Sequence, residues 1–285
     1  MSQESKFKSV FSDITWSDKF YQFLQVVYHL YPEDKFHYLI SQTCKEKQTD
    51  EEIYKTIQQK LSTIKPFLSE LTYALPALKK QKKEMTKQVL YLLKDNITIN
   101  GYLEIGSTGR YISDLKNQLS LSGNIYLTNY TAPDFSIPEI MERGQISKIG
   151  TFFPINNYQA IQPNQIPDNS IDLITCHIGL HHCTHELLDG YIKSLHRILR
   201  KGGKFIIRDH DVKTPEMATF VTLVHTVFNL GLKVSWEIDR QDFISLKSIE
   251  EWSQLFSQYG FKDDGVRLLQ EKDPSENTLV LFTKQ

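Results

Sequence analysis

Seven of the nine histidines fall within one stretch of the chain: His177, His181, His182, His185, His196, His210 and His225. Asp209 and Asp211 flank one of them directly. An imidazole titrates near pH 6.5, so histidines gathered beside carboxylates suit proton transfer close to neutrality. His210 and His182, then His181 and Asp211, are the candidates for a base or for positioning an acceptor. The same residues are metal-ligand types. Adjacent residues of a strand point apart, however, and no pair has the spacing of a dedicated zinc motif, so no metal centre is expected. His196 reads as part of a crossover helix and His225 as packing.

A second group lies earlier, in Gly101-Tyr102-Leu103-Glu104-Ile105-Gly106-Ser107-Thr108-Gly109-Arg110-Tyr111. Leu103 and Ile105 suit a buried strand that ends on an acid, turns through Gly106 and enters a helix. Ligands of open α/β sheets bind at such carboxyl ends, where loop backbone approaches them closely. A full Gly-x-Gly-x-x-Gly pyrophosphate cradle is absent, which disfavours a nicotinamide oxidoreductase.

These residues need elements to position them. The first hundred residues read as helical. Trp16, Phe20, Phe23, Leu24, Val27 and Leu30 recur at helical spacing up to Pro32. A helix over 35–44 follows, and Thr49 with Glu52 has capping-box spacing ahead of Ile53, Ile57 and Leu61. Pro66 and Pro76 are expected to kink or restart the helix, and a last one runs to about Asn96. From there strand and helix alternate. Tyr111 to Leu119 predicts a helix ended by Ser122-Gly123-Asn124, and 125–128 a strand. Asn129 and Asp134 stand about 20 residues beyond Gly106, where dinucleotide folds place a ribose-binding acid. Residues 148–153 suggest a third strand, and the loop from Asn156 to Ser170 offers polar groups and an apolar wall for an adenine ring. Thr184 is placed to cap a helix through Leu188, Ile192 and Leu195. A Gly202-Gly203 turn and the strand 204–208 follow. Thr214-Pro215 opens an apolar helix with Gly231 as its stop, and Ser248 with Glu251 forms another capping box. Strands at 266–270 and 278–283 complete a hairpin.

The block Pro167-Asp-Asn-Ser-Ile-Asp172-Leu-Ile-Thr-Cys-His177-Ile-Gly-Leu-His181-His182 resembles the fourth-strand motif of class I S-adenosylmethionine (SAM) methyltransferases. The likeness is to the methyltransferase type 11 group of ubiquinone- and sterol-type small-molecule enzymes. Arg197-Ile-Leu-Arg-Lys-Gly-Gly203 with its following strand resembles the same family. So does Glu104-x-Gly106, although Thr108 and Arg110 replace its later glycines and Gly109 is shifted. The resemblance implies a Rossmann-like α/β fold with a seven-stranded, mainly parallel sheet and an antiparallel C-terminal hairpin. It divides the chain into an N-terminal helical cap (1–96) and a SAM-binding domain (97–285). It implies SAM as cofactor, held by Glu104, Gly106, Ser107, Thr108, Gly109, Asn129, Asp134 and His177, and a small-molecule methyl acceptor as partner. Glu104 is expected to meet the donor's ammonium, and Arg110 either to hold its carboxylate or to point to solvent. The alternatives are a catalytically inactive SAM-binding regulator, favoured by Thr108, Arg110 and Asn129, and a protein methyltransferase.

Composition is that of an ordinary globular chain. The 285 residues are 40% hydrophobic and 24% charged, with a net charge of −1. That balance gives no electrostatic case for nucleic acid. Lys79-Lys80-Gln81-Lys82-Lys83 reads as a solvated helix face. Three cysteines suggest no disulfide framework. With no apolar signal core and no run of ~20 apolar residues, a soluble cytoplasmic protein without membrane partners is expected.

Overall fold

A computed structural model describes residues 5–65, 75–94, 98–177 and 179–285. The expected break at Pro66 lies outside the described residues. Contacts divide the chain into two compact units, each assembled from separate stretches. One comprises Met1–Ala77, His210–Leu246 and Leu269–Asn277; the other comprises Leu78–Asp209, Lys247–Leu268 and Thr278–Gln285.

The first unit is helical. Its helices are α1 (Lys6–Phe11), α2 (Ile14–Phe23), α3 (Glu33–Glu46), α4 (Asp50–Ile64), α9 (Pro215–Gly231) and α10 (Trp236–Asp239). The capping box forms as the spacing predicts: Glu52 N–H donates to Thr49 Oγ1 at 3.2 Å, and Thr49 N–H donates to the Glu52 carboxylate. The periodic stripe from Trp16 does not stay one α-helix. It loosens into a π-helical turn, Leu24–Tyr28, and stops at His29, whose φ is +47°. Helix α9 buries residues on nearly every side, among them Phe220, Leu223, Val224 and Val227, as expected of a helix at the middle of a core. They join Phe20, Phe23, Phe36 and Ile53 in one cluster.

The second unit is an α/β sheet. Its strands are β1 (Thr98–Ile105), β2 (Ser120–Asn129), β3 (Thr151–Pro154), β4 (Ile171–Cys176), β5 (Leu199–His210), β6 (Phe261–Leu269) and β7 (Asn277–Lys284), ordered β3-β2-β1-β4-β5-β7-β6. The pairs β1/β2, β1/β4, β2/β3 and β4/β5 are parallel, and the C-terminal hairpin is antiparallel. The remaining helices are α5 (Leu75–Leu93), α6 (Ile112–Leu115), α7 (Ile137–Arg143), α8 (His185–Ile198) and α11 (Ile249–Ser257). Strand period splits the apolar residues between two layers. Leu103, Ile105, Ile174 and Phe205 pack with α8 and α11, whereas Tyr102, Leu173 and Ile206 pack with α5 and α6.

Two boundaries differ from the expected ones. The helix after the glycine turn is only four residues long, and β2 begins at Ser120 rather than Ile125. Ser122-Gly123-Asn124 is strand, not a helix stop. Its register slips against Asn100 and Tyr102, and Gly123 takes φ +71° where a Cβ would meet the Asn100 side chain at 2.3 Å. Gly123 is a bulge glycine rather than a helix terminator; both uses demand the left-handed region. Likewise Gly202 and Gly203 lie inside β5, not in a turn before it. Among the described residues no helix is long and apolar enough to cross a membrane.

Candidate active site

The β1 exit is built from the inside. Strand period places Glu104 on the same face as Tyr102, and both are fully buried. The Glu104 carboxylate accepts from Tyr111 N–H at 3.1 Å, Ile112 N–H at 2.8 Å and the Tyr102 hydroxyl at 3.0 Å. Tyr102 Oη also lies 2.5 Å from Thr175 Oγ1 on the neighbouring strand. Burial raises the Tyr102 phenol well above its ordinary pKa, so it remains a neutral hydroxyl. Glu104 therefore anchors the first amides of α6. Ser107 completes the loop, accepting at its hydroxyl from Gly109 N–H (3.0 Å) and Arg110 N–H (2.8 Å). Gly106 and Ser107 N–H both donate to the Thr128 carbonyl. Gly106 at φ +77° and Gly109 at φ +111° supply backbone that other residues rarely adopt. Ser107, Thr108 and Gly109 are buried.

Arg110 neither points away nor stands open. Its Nε pairs with the Glu142 carboxylate on α7, and Lys82 Nζ donates to the Glu142 carbonyl at 3.0 Å. Lys82 is 6% exposed, so this member of the lysine run is not part of a solvated face. These bonds fasten the glycine turn to α7 and α5.

At the β4 exit His177 is 2% exposed, and its ring centroid lies 4.3 Å from that of Tyr111. Neither ring nitrogen has a hydrogen-bond partner among the described residues. Burial, helped by the charges of Arg208 and Arg110, lowers its pKa to about 3, so the ring is neutral at physiological pH. The chain then turns at Gly179 (φ +107°) into a 3₁₀ turn, Leu180–His182. Here His181 Nδ1 lies 2.8 Å from Asp209 Oδ1, with both side chains buried, and the rings of His181 and His182 are 4.6 Å apart.

The other predicted residues are more dispersed. Asn129 ends β2, and its carbonyl accepts from Ile155 N–H. Asp134 is exposed and accepts from Ser136 N–H at 2.8 Å; hydrogen bonds from Ser136 lower its pKa. His210 and Asp211 belong to the helical unit. There His210 Nδ1 contacts the Ser275 carbonyl at 2.7 Å and its ring packs on His225, while Asp211 pairs with Lys213 at 2.6 Å. The loop after β3 does border a cavity of about 250 Å³, whose lining includes Thr128, Phe153, Ile155, Ile161 and Tyr191. The hydroxyls of Thr128 and Tyr191 are buried without a partner among the described residues. The sequence reading names Asp209 beside His210 without a role, and does not name Tyr102, Thr175 or Glu142 as site residues. Only Tyr102 carried a signal, as an aromatic hydroxyl on the same strand face as Glu104.

Residues 103–207 match the family model described as a methyltransferase domain, from within β1 to within β5. This stretch is similar to a methyltransferase domain. No curated protein matches the chain. Similar solved structures include the Burkholderia thailandensis 1,6-didemethyltoxoflavin-N1-methyltransferase, determined with 1,6-didemethyltoxoflavin and S-adenosylhomocysteine. It shows 14% identity over 72% of this chain and 78% of that one, with a TM-score of 0.48. The mitomycin 7-O-methyltransferase is similar over 95% of this chain and 72% of that one, at 11% identity and a TM-score of 0.48. A geranyl diphosphate methyltransferase gives 10% identity over 71% and 77%, with a TM-score of 0.49. The domain's own residues fit the donor in one respect that can be read directly: a buried imidazole beside the glycine loop has hydrogen-bonding capacity that the described residues leave unfilled.

Proposed function

We propose that the chain is a cytoplasmic enzyme that moves a methyl group from SAM to an oxygen, nitrogen or carbon atom of a small molecule. The supporting observation is His177. A buried polar group left unpaired costs about 1–3 kcal/mol, and such a cost is retained where a ligand repays it. When bound, SAM supplies an electrophilic methyl carbon on a sulfonium. His177 would bond its methionine part, and the turn Gly106–Gly109 would bring backbone close to it. Asn129 would bond the ribose hydroxyls through its amide, and Asp134 remains a candidate a few residues beyond. The cavity beside Thr128 and Tyr191 would take the adenine ring, whose nitrogens match the two unfilled hydroxyls. The chain's own contribution to rate is alignment: holding the acceptor and the methyl carbon in line supplies much of the acceleration of a displacement.

One observation favours a second reading, that of a SAM binder without turnover. The amides of Gly106, Ser107, Gly109, Arg110, Tyr111 and Ile112 are all engaged within the protein, which leaves the loop few donors for a ligand carboxylate. Calorimetric titration with SAM and with NADH separates these readings from the oxidoreductase. Saturable binding is expected for SAM alone, and His177→Ala should weaken it ~10-fold, the equivalent of one lost hydrogen bond. Failure to bind SAM or its demethylated product would sink the donor assignment. Turnover of radiolabelled SAM with a metabolite extract then distinguishes an enzyme from a silent binder.

A further inference from the structure

The turn after β3 is built against the preference of its backbone. Asn156, Asn157 and Tyr158 follow one another at φ +46°, +52° and +63°. Asparagine tolerates the left-handed region, but a bulky aromatic residue there is strained. Such strain persists only where the surroundings hold it. Tyr158 is held at both ends. It is 2% exposed, and its ring meets that of Tyr191 edge-on, with centroids 5.2 Å apart. Its hydroxyl donates to the Gly179 carbonyl, which also accepts from His182 N–H at 2.9 Å. Burial raises the phenol well above its ordinary pKa, so the proton stays in place to be donated. The approach is so close that a Cβ at Gly179 would lie 2.7 Å from the Tyr158 oxygen.

Tyr158 thus stands between the two places proposed for the ends of the donor. On one side, Asn156 of the strained turn and the Tyr191 ring both line the cavity of about 250 Å³. On the other, Gly179 opens the 3₁₀ turn after β4, just beyond the buried His177. We infer that Tyr158 is a positioning residue that couples the cavity to the β4 exit. An adenine ring seated in the cavity orders the turn beside His177, so the two ends of SAM bind cooperatively. The inference rests on the donor placement proposed above and adds the link between its halves. A ligand packed on Asn156 and Tyr191 restrains the strained turn. The Tyr158 hydroxyl passes that restraint to the Gly179 carbonyl, and so to the backbone that carries His177. The coupling is reciprocal: a methionine part held at His177 tightens the cavity by the same factor. No change of shape is required, because a segment ordered by the first contact loses less freedom on making the second.

Adenosine is the probe, because it carries the adenine ring and lacks the methionine part. Hydrogen exchange on the wild type needs no variant. With adenosine bound, the His182 and Cys183 amides of the β4 turn should exchange ~5-fold or more slowly. In Tyr158→Phe, which keeps the ring and loses the hydroxyl, adenosine should leave the exchange of those amides unchanged. Calorimetry should show Tyr158→Phe binding SAM ~10-fold more weakly, with adenosine within about threefold of its wild-type affinity. A merely structural role would weaken both ligands alike. That result, an unchanged SAM affinity, or equal amide protection in the two proteins overturns the coupling. Should Tyr158→Phe fail to fold, absence of protection in the wild type still overturns it. Adenosine that does not bind, beside SAM that does, overturns the cavity assignment and the coupling with it. A wild type that does not bind SAM overturns the methyltransferase reading beneath both.

Discussion

The β1 exit and the β4 exit sit side by side in the sheet and are finished in opposite ways. At β1 the described polar groups satisfy one another: Glu104 holds two amides and a phenol, and Ser107 holds two more amides. At β4 a wholly buried imidazole stands with neither nitrogen engaged by the described residues. A self-satisfied loop is a rigid shape, presented to a ligand mainly as surface. An unsatisfied group is stored binding capacity, bought with stability in the free protein. On the proposed reading, the glycine turn is scaffold and recognition falls to the strand exit beside it.

The contrast breaks most readily at Glu104. Glu104→Ala would strand the amides of Tyr111 and Ile112 and the Tyr102 hydroxyl in a dry interior. Each orphaned donor costs about 1–3 kcal/mol, so a loss of ~3 kcal/mol or more is expected in denaturant unfolding. A loss under ~1 kcal/mol would mean that Glu104 is not the anchor of the loop, and would return it to the role of ligand contact.

His177→Phe should act in the opposite direction. Replacing an unpaired buried polar ring by an apolar one of similar shape is neutral or stabilising, by about 1 kcal/mol, while SAM affinity falls. The pH dependence sharpens this further. The folded-state pKa of about 3 lies below the ordinary 6.5, so below pH 6.5 the unfolded chain binds a proton that the folded chain refuses. Stability must then fall as pH drops from about 6.5 towards 3. His177→Phe removes this contribution, so the variant's stability should decline less steeply than the wild type's across that window. Parallel curves for the two proteins would show that the ring is hydrated or paired in solution.

The order of strands and the chemistry of the exits were legible to different degrees, for physical reasons. Apolar runs such as Leu103–Ile105 and Ile171–Cys176 announce buried parallel strands, and the capping boxes at Thr49 and Ser248 form as their spacing requires. Gly123 misled because one residue type serves both bulges and helix ends. The makeup of the helical unit was less legible for another reason: His210–Leu246 and Leu269–Asn277 join it by contacts that no local pattern encodes. The pairings that define the site are likewise non-local. His181, in the turn after β4, meets Asp209 on β5, and Tyr102 on β1 meets Thr175 on β4, partners 28 and 73 positions apart in the chain. Sequence could nominate His181, but only strand register could choose its partner.

Arg110 offers the smallest effect and the finest discrimination. It stands where the family pattern has glycine, and its Nε meets Glu142 with both side chains about a quarter exposed. An ion pair so placed contributes roughly 0–1 kcal/mol, and glycine adds a similar cost in backbone entropy. Arg110→Gly should therefore lower stability by only ~1 kcal/mol. If the guanidinium held the donor's carboxylate, the same change would also weaken SAM binding tenfold or more, through loss of a charge-assisted bond. If Arg110 serves only to fasten the turn to α7, affinity should stay within about threefold, because Glu104 and Ser107 still hold the loop. An unchanged affinity would leave the β1 exit as scaffold even at its arginine. A large loss would move part of the recognition across from β4.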